Sequence, residues 1–320
     1  MPEDLISLII PVFNGKKHFN TCFGSIENQD YKNLEIIFID NNSTDGSYDI
    51  LKNYCLEKKN HILLKCKKKG PSAARNVGIK FSNGKYISFL DVDDLISFNK
   101  YSILHKVIEN NSNCKIVFGD TRKKGENKKW RNNDYGEIDV GINNAPTTGI
   151  LWLRQFQHQV HPGAILVCKS AAEQVGGFPE NLFYGEDIAF MVKLGLRFDS
   201  FYVKQLIYTN NDVPTSITST ANLYMDMSER FLVFYKYFAL DYFYKRKNIR
   251  SYNICFNIVE YDSFKILIRL IKYQKKYKYI KDLYSHSKYT QKNNILSLRF
   301  FFFKYFPFKI ANFIFVKLLT

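Results

Sequence analysis

The chain is 320 residues long, 46% hydrophobic and 24% charged, with a formal net charge of +16. That length can bury a sizeable core in one large domain or two, and the composition excludes a disordered chain. No stretch reaches eighteen uncharged apolar residues, Met1-Pro2-Glu3-Asp4 does not read as a signal peptide, and six scattered cysteines without C-x-x-C pairs predict reduced, mostly buried thiols.

Leu5 to Phe13 is a continuous apolar run of the kind covered on both faces of a parallel sheet, ended by Pro11 and Asn14-Gly15. A helical pattern from about Lys16 to Gln29 leads to a second strand, Leu34 to Ile39, closed by Asp40. The polar loop 41–47 supplies N-cap candidates for a helix reaching about Lys58, and a third strand follows at Ile62 to Lys65. Lys67-Lys68-Lys69-Gly70-Pro71-Ser72 then opens a helix over Ala73 to Phe81. The next strand, Tyr86 to Leu90, ends in three carboxylates, Asp91, Asp93 and Asp94. Strands and helices alternating at this spacing predict an α/β, doubly wound, mostly parallel sheet, with ligands beyond the carboxyl ends of the strands.

Those ends carry Phe13-Asn14, Asp40 and the acidic cluster. If the backbone stays extended, Asp91 and Asp93 leave the same face and repel unless a cation lies between them. Hard oxygen ligands suit Mg²⁺ or Mn²⁺, which can hold a diphosphate; a solvated acidic turn is the other reading. Asp40 can accept from the imide N–H of uracil or cap the following helix. Arg75, at the start of a helix, can face a pyrophosphate or pair with Asp91 or Asp93. Glu186-Asp187 reads as an acidic helix start, and His161 as either a sugar or phosphate contact or a packed histidine.

SLIIPVFN (7–14), IDNNSTDGS (39–47), GPSAARNVGI (70–79), GKYISFLDVDD (84–94) and GGFPENLFYGED (176–187) together resemble inverting family-2 glycosyltransferases of the GT-A fold, of the bacterial surface-polysaccharide type. The resemblance covers roughly residues 1–220. It implies that Pro11, Phe13, Asn14, Asp40, Arg75 and Asp91 bind the nucleotide, and that Asp91 and Asp93 hold Mn²⁺ or Mg²⁺. It further implies that Asp187 is the catalytic base and that Glu186 and His161 face the acceptor. The pattern departs in three places. Asn41 and Asn42 replace an acid and a glycine, Gly15-Lys16-Lys17 stands where an acid is common, and 210–216 lacks the usual histidine.

Residues 221–320 carry 19 Lys and Arg against 6 Asp and Glu, net +13, which leaves 27 against 24, net +3, for residues 1–220. The basic part also holds 27 of the 52 aromatic residues. Basic helices with aromatic faces suit an anionic membrane surface, or else a helical cap packed on the first domain. The expectation is therefore a GT-A domain over 1–220, with a nucleotide half to about 100 and an acceptor half after it, followed by a helical, membrane-associated region over 221–320. Its activity would be metal-dependent transfer from a UDP-sugar to a lipid-linked saccharide, at the cytoplasmic face of the membrane, in O-antigen, capsule or lipooligosaccharide synthesis. No nucleic-acid partner is expected, because no nucleic-acid motif is present. A nucleotidyltransferase, or a non-catalytic sugar-nucleotide or membrane-binding protein, are the alternatives. The transferase reading requires Asp93 and Asp187 to share one cleft.

Overall fold

A computed structural model describes residues 3–124, 130–154, 160–180 and 185–211. The basic aromatic region, the boundary placed near residue 220 and residues 212–216 lie outside the described residues.

Among the described residues, ten strands form one sheet. Along it lie β3 (His61–Lys65), β2 (Leu34–Asp40), β1 (Ile6–Val12), β4 (Tyr86–Phe89), β9 (Ile165–Cys168), β6 (Ile116–Lys124), β10 (Ser200–Asn210) and β5 (Leu95–Ile96), in that order. Short strands β7 (Trp130–Asn132) and β8 (Gly141–Asn143) pair with β6 and β10. The apolar runs at β1, β2 and β4 are almost wholly buried, as strands covered on both faces must be. Edge strand β3 is only half-buried.

The connecting helices are α1 (Phe19–Glu27), α2 (Ser47–Leu56), α3 (Pro71–Phe81), α4 (Lys100–Asn110), α5 (Thr147–Arg154), α6 (Lys169–Gln174) and α7 (Glu186–Arg197). Pro71 opens α3, where its missing N–H costs nothing. Gly78 lets the same helix lie directly on β1, since a Cβ there would stand 2.3 Å from Ile9 Cγ2. Among the described residues the five cysteines are free thiols, and no helix is long and apolar enough to cross a membrane.

Strands β1 to β4 are mutually parallel, with Val12 opposite Asp40 and Ile9 opposite Phe89. Strand β9 then runs antiparallel to both β4 and β6, and β6 and β10 resume the first direction. That reversal decides where the site forms. A strand running against its neighbours begins at the edge where they end, so the turn entering β9 arrives beside the carboxyl ends of β1, β2 and β4. The start of α7 reaches the same edge, because α7 leads back to the beginning of β10. Beneath it, Phe178 stacks on Phe190 at 4.0 Å, and both rings meet Phe89 edge-on.

Candidate active site

The acidic cluster is presented by a turn and not by an extended strand. Strand β4 ends at Phe89, and the Asp94 amide donates to the Asp91 carbonyl at 3.0 Å. The three carboxylates therefore point different ways. Asp91 meets Arg75 Nη2 at 2.8 Å and lies 3.6 Å from His161 Nε2. Asp94 turns inward and accepts from the Tyr208 hydroxyl, from the Asn211 amide at 2.7 Å and from Asn210 Nδ2 at 3.2 Å. Asp93 remains on the cleft side, in electrostatic reach of His18.

Burial pushes all three carboxyls up, but their neighbours separate them. The Arg75 guanidinium, with His161, holds Asp91 below its ordinary range. Asp93 is raised by burial and by the charge on Asp91, and the same two causes bring Asp94 to about 8. Repulsion of this kind is relieved by a hard divalent cation, and a carboxylate donor set fits Mg²⁺ or Mn²⁺. Carboxylate oxygens of Asp91 and Asp94 lie within 4.8 Å of each other and of a His161 nitrogen. Asp94 carries three hydrogen-bond donors and Asp91 an ion pair with Arg75, and Asp93 is not among the groups that meet at ligand distance here.

Arg75 is buried at the centre of the cleft. It bonds Asp91 on one side and Glu186 Oε1, 3.3 Å away, on the other, with its guanidinium 5.2 Å from the Phe178 ring centroid. Of its two predicted roles, the ion pair is the arrangement observed. Glu186 and Asp187 form the first turn of α7 behind Gly185, whose φ is +74°, and the Asp187 carboxylate accepts from the Ile188 amide at 2.8 Å. A helix N-terminus favours negative charge. Even so, burial and the charge on Asp187 push Glu186 up to about 7. The His161 imidazole feels the charges of Asp91, Asp187 and Asp93, so acids from separate parts of the chain lie within electrostatic reach of one ring.

At the carboxyl ends of β1 and β2, Phe13 is 63% exposed just past β1, with Pro11 half-buried two residues before it. Asp40, the last residue of β2, is 5% exposed, and its Oδ1 has no hydrogen-bond partner. Helix α2 begins only after Gly46, without a side-chain cap, so Asp40 is not its N-cap. Asn14 is occupied locally: its Oδ1 accepts from the Thr44 amide at 2.8 Å and its backbone N–H donates to Ser43 Oγ at 3.1 Å. It shapes the loop beside Phe13. Asn41 draws in the lysine loop, accepting from the Gly70 amide and donating to the Lys68 carbonyl.

His161 faces Oδ2 of Asp91, whereas Arg75 holds Oδ1. Its ring stacks on Tyr208 at 4.8 Å, and its Nδ1 accepts from the Gly163 amide at 3.0 Å. Four contributors have no clear mark in the sequence: His18, Lys100, Tyr208 and Asn76. Asn76 pairs with both backbone groups of Phe178 at 2.8 Å and so ties the glycine-rich loop to α3. Each depends on a partner far away in the chain, which no local pattern encodes.

The sequence model of glycosyl transferase family 2 matches residues 7–176. An uncharacterized glycosyltransferase of Rickettsia bellii is 32% identical over 201 residues, 60% of this chain and 26% of that protein. The minor teichoic acid biosynthesis protein GgaB of Bacillus subtilis is 30% identical over 192 residues, 57% of this chain and 20% of that one. The chain spans 26–30% of the length of the three Rickettsia relatives it matches. A crystal structure of S. aureus TarS 1-349 in complex with UDP-GlcNAc shares the fold, with a TM-score of 0.58 at 20% identity, over 72% of this chain and 65% of that one.

Proposed function

The chain belongs to glycosyl transferase family 2, and from that premise we propose that it transfers a sugar, with inversion, from a UDP-sugar to a saccharide acceptor. One observation carries the reading. Asp91 and Glu186, 95 residues apart in the chain, are bridged by a buried arginine, and Asp93 and Asp187 lie within electrostatic reach of the His161 ring beside them.

In this reading Phe13 lies against the base, Pro11 completes that apolar wall, and the unpartnered Asp40 oxygen accepts the uracil N3–H. Asn14 keeps the loop beside them in shape. When bound at Asp91 and Asp93, Mg²⁺ or Mn²⁺ supplies positive charge beside the diphosphate leaving group. Asp187 takes the proton of the acceptor hydroxyl as that oxygen attacks the anomeric carbon, and the bond to UDP breaks on the opposite face. Arg75 sets the spacing of Asp91 and Glu186 instead of touching phosphate. Glu186 and His161 face the acceptor. The neighbouring name "minor teichoic acid biosynthesis" favours a surface-polymer acceptor, and the basic aromatic residues 221–320 favour a lipid-linked one at an anionic, cytoplasmic membrane face.

The test is thermal unfolding of the full chain with a panel of UDP-sugars, with and without Mn²⁺, followed by a UDP-release assay. A donor at a hundred times its Kd should stabilise by about 2.7 kcal/mol, a rise of roughly 5–11 °C for a domain of this size. Absence of any metal-dependent rise across the panel would overturn the UDP-sugar assignment.

A further inference from the structure

Lys100, in the first turn of α4, is completely buried among the described residues. A lysine in that position needs a reason, because removing its charge from water is costly. Burial pulls its pKa down to about 7, with no carboxylate offsetting the effect. Its amine donates to the Gly163 carbonyl at 2.7 Å and to Ser88 Oγ at 2.9 Å, with the Tyr101 hydroxyl at 3.5 Å. Ser88 in turn donates to the Ile165 carbonyl at 2.7 Å. The amine thus joins β4, three residues before Asp91, to the turn that enters β9.

That turn needs an anchor for a steric reason. Residue 163 must be glycine, since a Cβ there would stand 2.1 Å from the Tyr208 ring. Glycine leaves the backbone free to rotate on either side of its Cα. The peptide plane before it is held by its N–H on His161 Nδ1; the plane after it is held by Lys100 on its carbonyl. The first contact determines the chemistry of the histidine. A backbone amide can only donate, so Nδ1 must be the acceptor, and in the neutral ring Nε2 carries the proton. Nε2 is the nitrogen 3.6 Å from Asp91. His161 then offers the cleft an N–H donor. It offers no lone pair to a cation, although it lies within ligand distance of Asp91 and Asp94.

We propose that Lys100 is a positioning residue that pins the 161–164 turn through the Gly163 carbonyl and so fixes His161 in its Nε2–H form, facing the acidic cleft. That this donor serves the acceptor rests on the function proposed above; that Lys100 sets it does not.

The experiment is NMR on the labelled full chain. At pH 8, histidine ring spectra should show one residue of the six, identified by its loss in His161→Gln, as a pure Nε2–H tautomer. In Lys100→Met that signal should move to the averaged position of a ring exchanging between tautomers. Ser88→Ala removes another partner of Lys100 but leaves the Gly163 contact, so it should lower the melting temperature and leave the His161 signal in place. A His161 signal unchanged in Lys100→Met, or moved equally in Ser88→Ala, would overturn the proposal. In the wild-type chain at pH 6 and low temperature, one exchange-protected lysine amine should show coupling across its hydrogen bond to the Gly163 carbonyl carbon. Its absence overturns the proposal even if Lys100→Met fails to fold. Neither readout uses a sugar nucleotide, so failure of the transferase reading would leave both intact.

Discussion

Arg75→Met removes a buried guanidinium while keeping most of the side chain's length and its place over Phe178. It leaves Asp91 and Glu186 facing each other without the charge that separates them. Breaking a buried ion pair by deleting one partner typically costs about 3–5 kcal/mol. The Asp91 side chain is 28% exposed, so water can reach part of it and the lower end applies. For a domain of about 200 residues, about 3 kcal/mol corresponds to a fall in melting temperature of roughly 6–12 °C.

The pH dependence gives a sharper test. Glu186 has a folded pKa near 7, above its ordinary 4.5, so its contribution to stability is present below 4.5 and is lost as pH rises towards 7. Asp91 behaves oppositely in the wild type: its contribution is present above 3.8 and is lost only as pH falls through its lowered value. Without Arg75 both carboxyls favour the protonated form. The penalty should then be largest at pH 8 and shrink by more than half at pH 5. Calorimetry of both proteins at the two pH values reads this directly. A loss below 2 °C, or one equal at pH 5 and pH 8, would refute the account of Arg75 as the separator of the acids.

Asp187→Asn should reduce UDP release in the presence of acceptor by about 10²–10⁴-fold while leaving thermal protection by UDP nearly intact; full turnover would remove Asp187 from the base role. Asp40→Ala deletes the unpartnered acceptor beside Phe13 and should weaken UDP by about 10–100-fold, the worth of a hydrogen bond to a charged group. Calorimetric titration with UDP and CDP checks this, and an equal loss for both would count against imide recognition. Gly163→Ala must displace the Tyr208 ring and with it the Asp94 contact, so a destabilisation of about 1–3 kcal/mol is expected in denaturant titration.

The parallel half of the fold could be read from the chain because each of its strands is an apolar run closed by a strong stop. Leu34 to Ile39 before Asp40 and Tyr86 to Leu90 before the acids are clear cases, and both were placed within a residue or so. The direction of β9 could not be read, since Ile165–Cys168 is apolar in either sense and its neighbours β4 and β6 lie about 80 and 50 residues earlier. The acidic residues stood out by type and spacing, but the turn at Asp91–Asp94 sends them apart, which an extended-strand geometry does not anticipate. Lys100 looks like any surface lysine in Phe98-Asn99-Lys100-Tyr101. Its burial follows from a carbonyl 63 residues later.

Strand β9 is also a seal. Until residues 165–168 slot in beside Tyr86 and Ile87, β4 presents bare backbone donors and acceptors along one flank. A shortened chain stopping near residue 110 would keep the four parallel strands but offer that flank to other copies of itself. Such a fragment should pair edge to edge and precipitate, so the N-terminal parallel half depends for its solubility on a segment that enters the sheet some eighty residues later.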